Sequence, residues 1–588
     1  MNNLNLKINA HNLNYLIKKL WQNLNYQRKF KLILTTIMMF FASFAEMASL
    51  GAVIPFLGII ASPETFYEYD IARIFLDYFQ ITDLSNLLPL ISIMFAMTVI
   101  IAAVFRTVLL RIIINNSYSA GSELSQKAFS KIINQSFLDH LNTNSSELIS
   151  IMGPKLNNAI AVINNILIFF SSTIVVIGLL SVLVFIQPII TLFLFGIFSL
   201  VYLFLSLIFK SQLKYNSDRC ADLGPFLVKT LQESLGGIRN IILDGNQTYY
   251  KNIYTQTELE FRKSQANTVF ISNCPRPIME ALGVIIVIIL AYFFSLKHNG
   301  IQSYIPVLGF VVLGAQRMLP SFQQAFAAWS YIKGEQKSLN DLLNIIDKPI
   351  ELKNRNTMKN DFDFNSTIEL KKISFRFSND DPWIIKDLEL KISKGSWVGI
   401  IGETGCGKST LIDIIMGLLN PSSGHIKIDN KFLLSTDNIK NWQSLIAHVP
   451  QVIFLSDNTI SENIAFGIRY DDIDHDLVKS CAEIAQISEL IMSLPEKYNT
   501  VVGERGSKLS GGQRQRIGIA RALYKQAEII IFDESTNALD NSKEMKVMQA
   551  LENLPSNITV IMIAHRKSTL KKCSQIIDLS PNYLIKNQ

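Results

Sequence analysis

The apolar residues of this chain gather into long runs over roughly its first 330 positions and into short, strand-length runs after that. A helix needs about 18–20 largely apolar residues to cross the hydrocarbon core of a bilayer. Six stretches predict such helices: 32–60, 87–114, 161–186, 188–209, 277–295 and 304–318. The third and fourth are nearly continuous and part only at Gln187-Pro188, where a polar residue followed by proline favours a tight turn. The sixth is short, but Phe322, Phe326 and Trp329 keep helical spacing beyond Pro320, so that helix is expected to run on past the membrane.

The polar stretches between these runs give orientation. Leu13, Leu16, Ile17, Leu20 and Leu24 fall on one helical face with Lys18, Lys19, Arg28, Lys29 and Lys31 around them, which predicts an interfacial elbow helix on an anionic inner leaflet. The loop after the first run carries Glu64, Glu68, Asp70, Asp77 and Asp83 against Arg73, so it is expected outside, with both termini in the cytosol. In that loop Ile71, Ile74, Phe75, Tyr78 and Phe79 make the apolar face of a short helix that rests on the outer leaflet or packs on the bundle. Stretches 115–160 and 210–275 are polar with helical patterning, as long intracellular helices would be. A polar linker follows Asp347-Lys348-Pro349, and from Ile368 strand-like and helical runs alternate as in an α/β domain. The expected organisation is an elbow helix at 1–31, a six-helix membrane domain at 32–345, a linker at 346–366 and a soluble α/β domain at 367–588.

Composition agrees with a chain that is half membrane and half soluble. Its 588 residues are too many for one hydrophobic core. They are 49% hydrophobic and 18% charged, with a mean hydropathy of +0.26. A formal charge of +7 could point to nucleic acid, but the Lys and Arg are scattered and gather near membrane ends, so no nucleic-acid partner is expected. Five widely spaced cysteines without a C-x-x-C pair read as reduced thiols. The first thirty residues lack a signal-peptide core, which again leaves the N-terminus in the cytosol.

Two motifs carry phosphate chemistry. Gly402-Glu403-Thr404-Gly405-Cys406-Gly407-Lys408-Ser409-Thr410 follows the strand-like run 397–401 and opens an apolar helix at Leu411. Glycines in that setting let backbone N–H groups wrap phosphates, Lys408 reaches the β and γ oxygens, and Ser409 ligates Mg²⁺. Downstream, Ile529-Ile530-Ile531-Phe532 is a buried-strand run ending in Asp533-Glu534; Asp533 suits the Mg²⁺ shell and Glu534 the attacking water.

Between them stands Leu509-Ser510-Gly511-Gly512-Gln513 before a basic helix. With this string and the six runs, essentially the whole chain resembles the ABC exporters, half-transporters with a fused permease and a P-loop ATPase. The resemblance implies ATP and Mg²⁺ as cofactors and a second copy of the chain as partner. Phe377 becomes the aromatic that stacks on adenine, in place of the usual tyrosine. Gln451 becomes the Q-loop residue touching Mg²⁺ and the membrane domain, Asp540 the D-loop aspartate beside an unusual Asn537, and His565 the switch histidine near the γ-phosphate. Ser510, Gly511, Gly512 and Gln513 would close over ATP on the partner's P-loop. Glu504-Arg505-Gly506 resembles an exporter-specific segment, and the Gly236-Gly237 break resembles the family's second coupling helix, docking near Gln451.

Substrate is addressed by cations in the membrane. Arg106, Arg276 and Arg317 lie in or at the ends of runs two, five and six, against the acidic Glu46 and Glu280. The bland expectation pairs Arg276 with Glu280 one turn on and lets Arg317 snorkel to the inner headgroups. Around Glu46 to Leu57, 231–239 and 317–320, however, the chain looks like the PglK-type flippases of lipid-linked oligosaccharides. That resemblance implies that the three guanidiniums bind a pyrophosphate as a polyprenyl-linked glycan passes from the inner to the outer leaflet of the inner membrane. Alternatives are a general lipid or multidrug exporter and a peptide exporter; no cysteine precedes Cys220, so a peptidase domain is not expected.

Overall fold

The computed structural model describes residues 13–53, 56–57, 84–295, 305–349, 364–429, 432–434, 438–533, 541–552, 555–563 and 572–580. The expected outer-loop helix at 71–79, together with Glu534, Asp540 and His565, lies outside the described residues. The chain forms two compact units, one of Met1–Gln135 with Asn142–Ile350 and the other of Ser136–Leu141 with Glu351–Gln588.

The first unit is helical: α1 Leu13–Asn23, α2 Tyr26–Gly51 and α3 Leu84–Ile133; then, beyond α4 Phe137–Asn142, α5 Ser145–Ser150, α6 Leu156–Ile186, α7 Pro188–Gly236, α8 Ile238–Leu243, α9 Gln247–Asn273, α10 Pro275–Ser295 and α11 Ile305–Asp347. A π-helical turn, Ile151–Lys155, joins α5 to α6 around Pro154, whose missing N–H cannot serve an α-helical ladder. Among the described residues five helical stretches are long and apolar enough to cross a membrane: Tyr26–Gly51, Leu88–Ile133, Ser145–Ile186, Pro188–Gly236 and Gln247–Phe293. The sixth expected run falls in α11, which continues through Pro320 to Asp347. Helices α6 and α7 part at Gln187, with Pro188 in the first turn where a proline costs no hydrogen bond. Their outward residues are apolar: Phe185 and Ile189 at this corner are among the most exposed side chains, the reverse of a water-facing surface.

The elbow helix is corrected in two respects. It ends at Asn23, and residues 26–31 already belong to α2. Its apolar face does not lie on lipid: Leu16, Leu20 and Leu24 are buried, the latter two in a cluster with Leu124 of α3 and Leu339 and Leu343 of α11. Lys19 fixes this docking, donating to Asn344 Oδ1 at 2.8 Å and pairing with Asp347 Oδ2 at 2.9 Å. The reason is tertiary. Helices α3, α6 and α11 extend beyond the apolar runs and offer a protein stripe that the leucines can fill.

Helices α6 and α11 pack along each other through Val162, Ile163 and Ile166 against Ile332, Leu339 and Leu342. Glu335 is buried in this packing, well beyond the membrane run, and accepts from Asn158 Nδ2 at 2.8 Å and Ser338 Oγ at 3.1 Å. Burial pushes its carboxyl up from 4.5 to about 7, against the lowering effect of those two donors. A carboxyl whose folded value is raised stabilises the fold most below its unfolded value, and that contribution is lost as pH rises through the folded one. Apparent melting temperature in detergent should therefore fall between pH 4.5 and about 7. Glu335→Gln should flatten that slope, and an unchanged slope in the variant would assign the pH dependence elsewhere.

The second unit is α/β. It includes α4, which the chain supplies from between α3 and α5, with Phe137 and Leu138 packed on one of the unit's cores. After β1 Thr367–Phe375, β2 Ile385–Ser393 and β3 Trp397–Ile401 come α12 Lys408–Ile415, β4 Ser423–Ile428, β5 Phe432–Leu433, α13 Ile439–Ser444 and β6 Ile446–Val449. Then follow α14 Ile460–Ile464, α15 His475–Ile484, α16 Ser488–Ser493, α17 Gly511–Tyr524, β7 Ile529–Asp533, α18 Asn541–Glu552, β8 Thr559–Ile563 and β9 Gln575–Asp578. An antiparallel sheet has the order β2-β1-β4-β5 and a parallel sheet the order β6-β7-β8-β3-β9.

Both faces of the parallel sheet are covered, as continuous apolar strands require. Alternate residues of β7 show it: Ile530 and Phe532 enter the core built with α17, whereas Ile529 and Ile531 enter the core built with α12 and the antiparallel sheet. The helix after the glycine loop and the helix after the Ser510 string thus lie on opposite faces of one sheet.

Candidate nucleotide site and membrane cavities

Strand order brings the phosphate motifs together. Ile563 of β8 pairs with Ile400 of β3 on one side and Asp533 of β7 on the other, so the glycine loop and Asp533 leave the same sheet edge two strands apart, about 10 Å. On the far side Val449 of β6 pairs with Phe532, and Gln451 follows two residues later. In sequence these groups are scattered over more than a hundred residues.

The loop Gly402–Gly407 turns from β3 into α12 through left-handed backbone at Gly405 (φ +86°) and Gly407 (φ +96°). At Gly407 a side chain has no room either, since a Cβ would stand 2.9 Å from Ile384 Cγ2. Lys408 is buried and folds over the loop, donating to the carbonyl oxygens of Gly402 at 2.7 Å and Glu403 at 3.0 Å. Its ammonium is thereby held against the loop, and a cation there beside loop and helix N–H groups favours an anion. Ser409 is exposed at the start of α12.

Sequence reasoning overlooked Asp413, one turn beyond Ser409 on α12. Burial, and then the charge of Asp533, pushes its carboxyl up to about 6. Its spacing from Ser409 was the available signal. Among the described residues no three His, Cys, Asp or Glu side chains cluster as a metal site of their own. Ser409, Gln451 and Asp533, carried to one sheet edge by β3, β6 and β7, are of the oxygen-donor type that suits a hard cation completed by phosphate oxygens.

Phe377 is half exposed and meets Phe375 edge-on at 5.2 Å, which leaves a ring face open to a base. Beside it the guanidinium of Arg376 lies 4.6 Å from the ring centre of Trp383, a pair that no motif announced. Ser510 caps α17: its Oγ accepts from Gln513 N at 3.3 Å, and Gln513 Oε1 accepts from Ser510 N at 2.8 Å. Arg514 braces the approach by donating to Leu509 O at 2.9 Å. The helix N-terminus at Gly511 stays exposed, on the face of the sheet opposite α12.

The membrane arginines divide. Arg317 turns into the bundle rather than toward the headgroups: its Nη1 is 3.2 Å from Glu46 Oε2 and also bonds Ser49 Oγ. Arg106 Nη1 stands 3.9 Å from the other oxygen of Glu46. Glu46, Arg106 and Arg317 line a cavity of about 530 Å³ with Ser172 and Gln324. Arg276 is elsewhere, bonded to Glu280 Oε1 at 3.0 Å in a groove of about 800 Å³ between α10 and α11. Pairing with Glu280 was the bland expectation; convergence of two arginines on Glu46 was not visible, because the three residues come from three helices.

Comparison with known proteins agrees with this architecture. The family model for the ABC transporter transmembrane region matches residues 29–316, and the model described as ABC transporter matches 385–537. The ATP-dependent lipid A-core flippase of Alkalilimnicola ehrlichii is 26% identical over 422 residues, 71% of this chain and 70% of that protein. The ABC multidrug transporter atrD of Emericella nidulans is 40% identical over 211 residues, 36% of this chain and 16% of that protein. A bacterial Atm1-family ABC exporter with ATP bound shares the fold, with a TM-score of 0.75 at 20% identity over 96% of this chain and 97% of that one. With a membrane region and an ATP-binding α/β unit joined in one polypeptide, the chain belongs to the ABC transporters, as a half-transporter of the exporter type that couples ATP to transport.

Proposed function

We propose that this subunit pairs with a second copy of itself in the cell inner membrane, with its ATPase in the cytosol, and flips an anionic amphipathic lipid outward, most specifically a lipid-linked oligosaccharide. The observation that carries the substrate is the cavity where Arg106 and Arg317 share the single carboxylate of Glu46. Two cations against one anion leave a formal surplus of one positive charge in a membrane setting, where an uncompensated charge costs about 2.5–3.5 kcal/mol on insertion scales. A pyrophosphate offers planar-compatible oxygens to both guanidiniums. The flippase names among the relatives support a lipid. Export of apolar compounds is the second reading, favoured by the apolar walls of the α10–α11 groove and the multidrug name of another relative.

Pairing of two copies is supported by the sheet. Because α12 and α17 lie on opposite faces, the Ser510 end of one copy suits the P-loop of another rather than its own. Ser409, Gln451 and Asp533 would hold Mg²⁺, which neutralises charge on the terminal phosphates when bound. Phe377 stacks the base, Lys408 and the loop amides hold phosphate, Glu534 and His565 serve the water and γ-phosphate, and Asp540 lines the join between copies.

The test is reconstitution in vesicles with a fluorescent polyprenyl-pyrophosphate oligosaccharide beside a drug panel. ATP-dependent loss of the glycolipid from one leaflet is expected; movement of drugs alone would favour the second reading. Coupling is assigned to α8, which leaves Ile238, Ile242 and Leu243 exposed after the break at Gly237. A Cβ at Gly237 would already stand 3.1 Å from the Glu233 carbonyl oxygen. Bulk or charge there should lower transport per ATP hydrolysed, and an unchanged ratio across several substitutions would remove α8 from coupling.

A further inference from the structure

The two membrane cavities share a wall. Gln316, Pro320 and Gln324, one turn apart along α11, line both the charged cavity and the α10–α11 groove. The sides of this ridge differ in chemistry. Toward α2 and α3 stand Glu46, Arg106 and Arg317. Toward α10 the wall is hydrocarbon: Val284, Val287 and Ile288 face Val312, Ala315 and Leu319, and Gly283 deepens the groove because a Cβ there would only just touch Leu319. Beyond the ridge glutamines, the groove's polar groups are Ser272, Asn273, Arg276 and Glu280 around the α9–α10 junction and Gln323 on α11, and the α10 stretch from Gly283 to Ile288 is apolar. Pro320, at the centre of the ridge, sets an apolar ring between the two glutamines.

We propose that the cavities are two halves of one amphipath site divided by the Gln316–Pro320–Gln324 ridge, with the substrate's phosphate among Glu46, Arg106 and Arg317 and its hydrocarbon chain in the α10–α11 groove. The inference rests on the anionic-lipid reading and adds where each end of the molecule lies. Size is compatible, since ligand pockets commonly hold about 300–1,000 Å³. Glutamine amides suit the boundary, because each can donate toward a phosphate oxygen while its methylenes face the chain. The groove selects by length, not by charge. Each methylene it buries should strengthen binding by up to about fourfold, the ratio that corresponds to the transfer of one CH₂.

The test uses the full chain in nanodiscs, with alkyl phosphates of increasing length as probes and stimulation of ATPase as readout. Half-maximal concentration should fall steadily with chain length in the wild type. Val284→Trp and Ile288→Trp fill the groove and should remove the length dependence while the shortest alkyl phosphate still acts; basal ATPase reports folding. Independently, an alkyl phosphate with a diazirine at its far end should label residues 283–288 in the unmutated protein, a readout that needs no variant. Charge-dependent stimulation lost in Arg317→Ala, but with labelling elsewhere or a length dependence that survives both tryptophans, overturns the division while leaving the anionic-lipid reading intact. If neither short nor long alkyl phosphates bind or stimulate, both fall.

Discussion

Glu534→Gln is expected to bind ATP with near-native affinity, to hold two copies together around it, and to turn over ~10²–10⁴-fold more slowly, the usual loss when a group that positions or deprotonates the nucleophile is removed. The expectation follows from strand order. Strand β7 carries Asp533 to the sheet edge beside the glycine loop, and Glu534 is the next residue on the chain. The groups proposed to hold the nucleotide, Lys408, the loop amides and Asp533, do not include the Glu534 carboxylate. Retention of labelled ATP and a shift to dimer by size-exclusion should therefore accompany the loss of turnover. Near-normal hydrolysis would remove Glu534 from the mechanism. Asp533→Asn supplies the contrast, because it should weaken Mg²⁺-dependent binding itself.

Arg317→Ala and Arg106→Ala are expected to abolish flipping of a pyrophosphate lipid while basal ATPase survives. Arg317 is held by Glu46 and Ser49 on α2, so it is oriented before any substrate arrives. Lysine at 317 should rescue in part: it keeps the charge and loses the fork that meets both a carboxylate and a phosphate. Arg276→Ala should be milder. Its pairing with Glu280 is a largely exposed (i, i+4) contact, with side chains 68% and 55% accessible, and such pairs contribute roughly 0.3–0.5 kcal/mol. A purely structural arginine predicts loss of expression, ATPase and flipping together. Flipping, ATPase and yield measured on the same purified variants separate the cases, and full flipping by the double alanine variant would overturn the assignment.

Much of the molecule was legible along the chain. Helix α7 starts at the proline that the 187–188 break predicted, and the P-loop was recognisable because strand, glycines and helix follow one another within twenty residues. Local motifs are legible when every group that acts is contributed by one segment. The elbow helix shows the limit of that logic. Its amphipathic spacing identified a face to be buried, but periodicity states only that a face is apolar, not whether lipid or α11 covers it. Asp413 was missed for a similar reason: nothing in its neighbourhood announces that the charge of Asp533, more than a hundred residues on, is felt there.

By itself, then, the sequence determined what depends on composition and short-range order: the apolar runs, the soluble α/β half, the phosphate loop and the Asp533-Glu534 pair. These follow from the length a bilayer demands, the period of helix and strand, and the backbone freedom of glycine. Only the tertiary structure decided which charges meet. Strand order set the glycine loop, Asp533 and Gln451 along one edge and placed α12 and α17 on opposite faces. Helix packing drew Arg106 and Arg317 to Glu46 and left Arg276 on the other side of the α11 ridge. A residue's partner across helices depends on their relative rotation and register. Those are fixed by the sum of many weak packing contacts rather than by any local string.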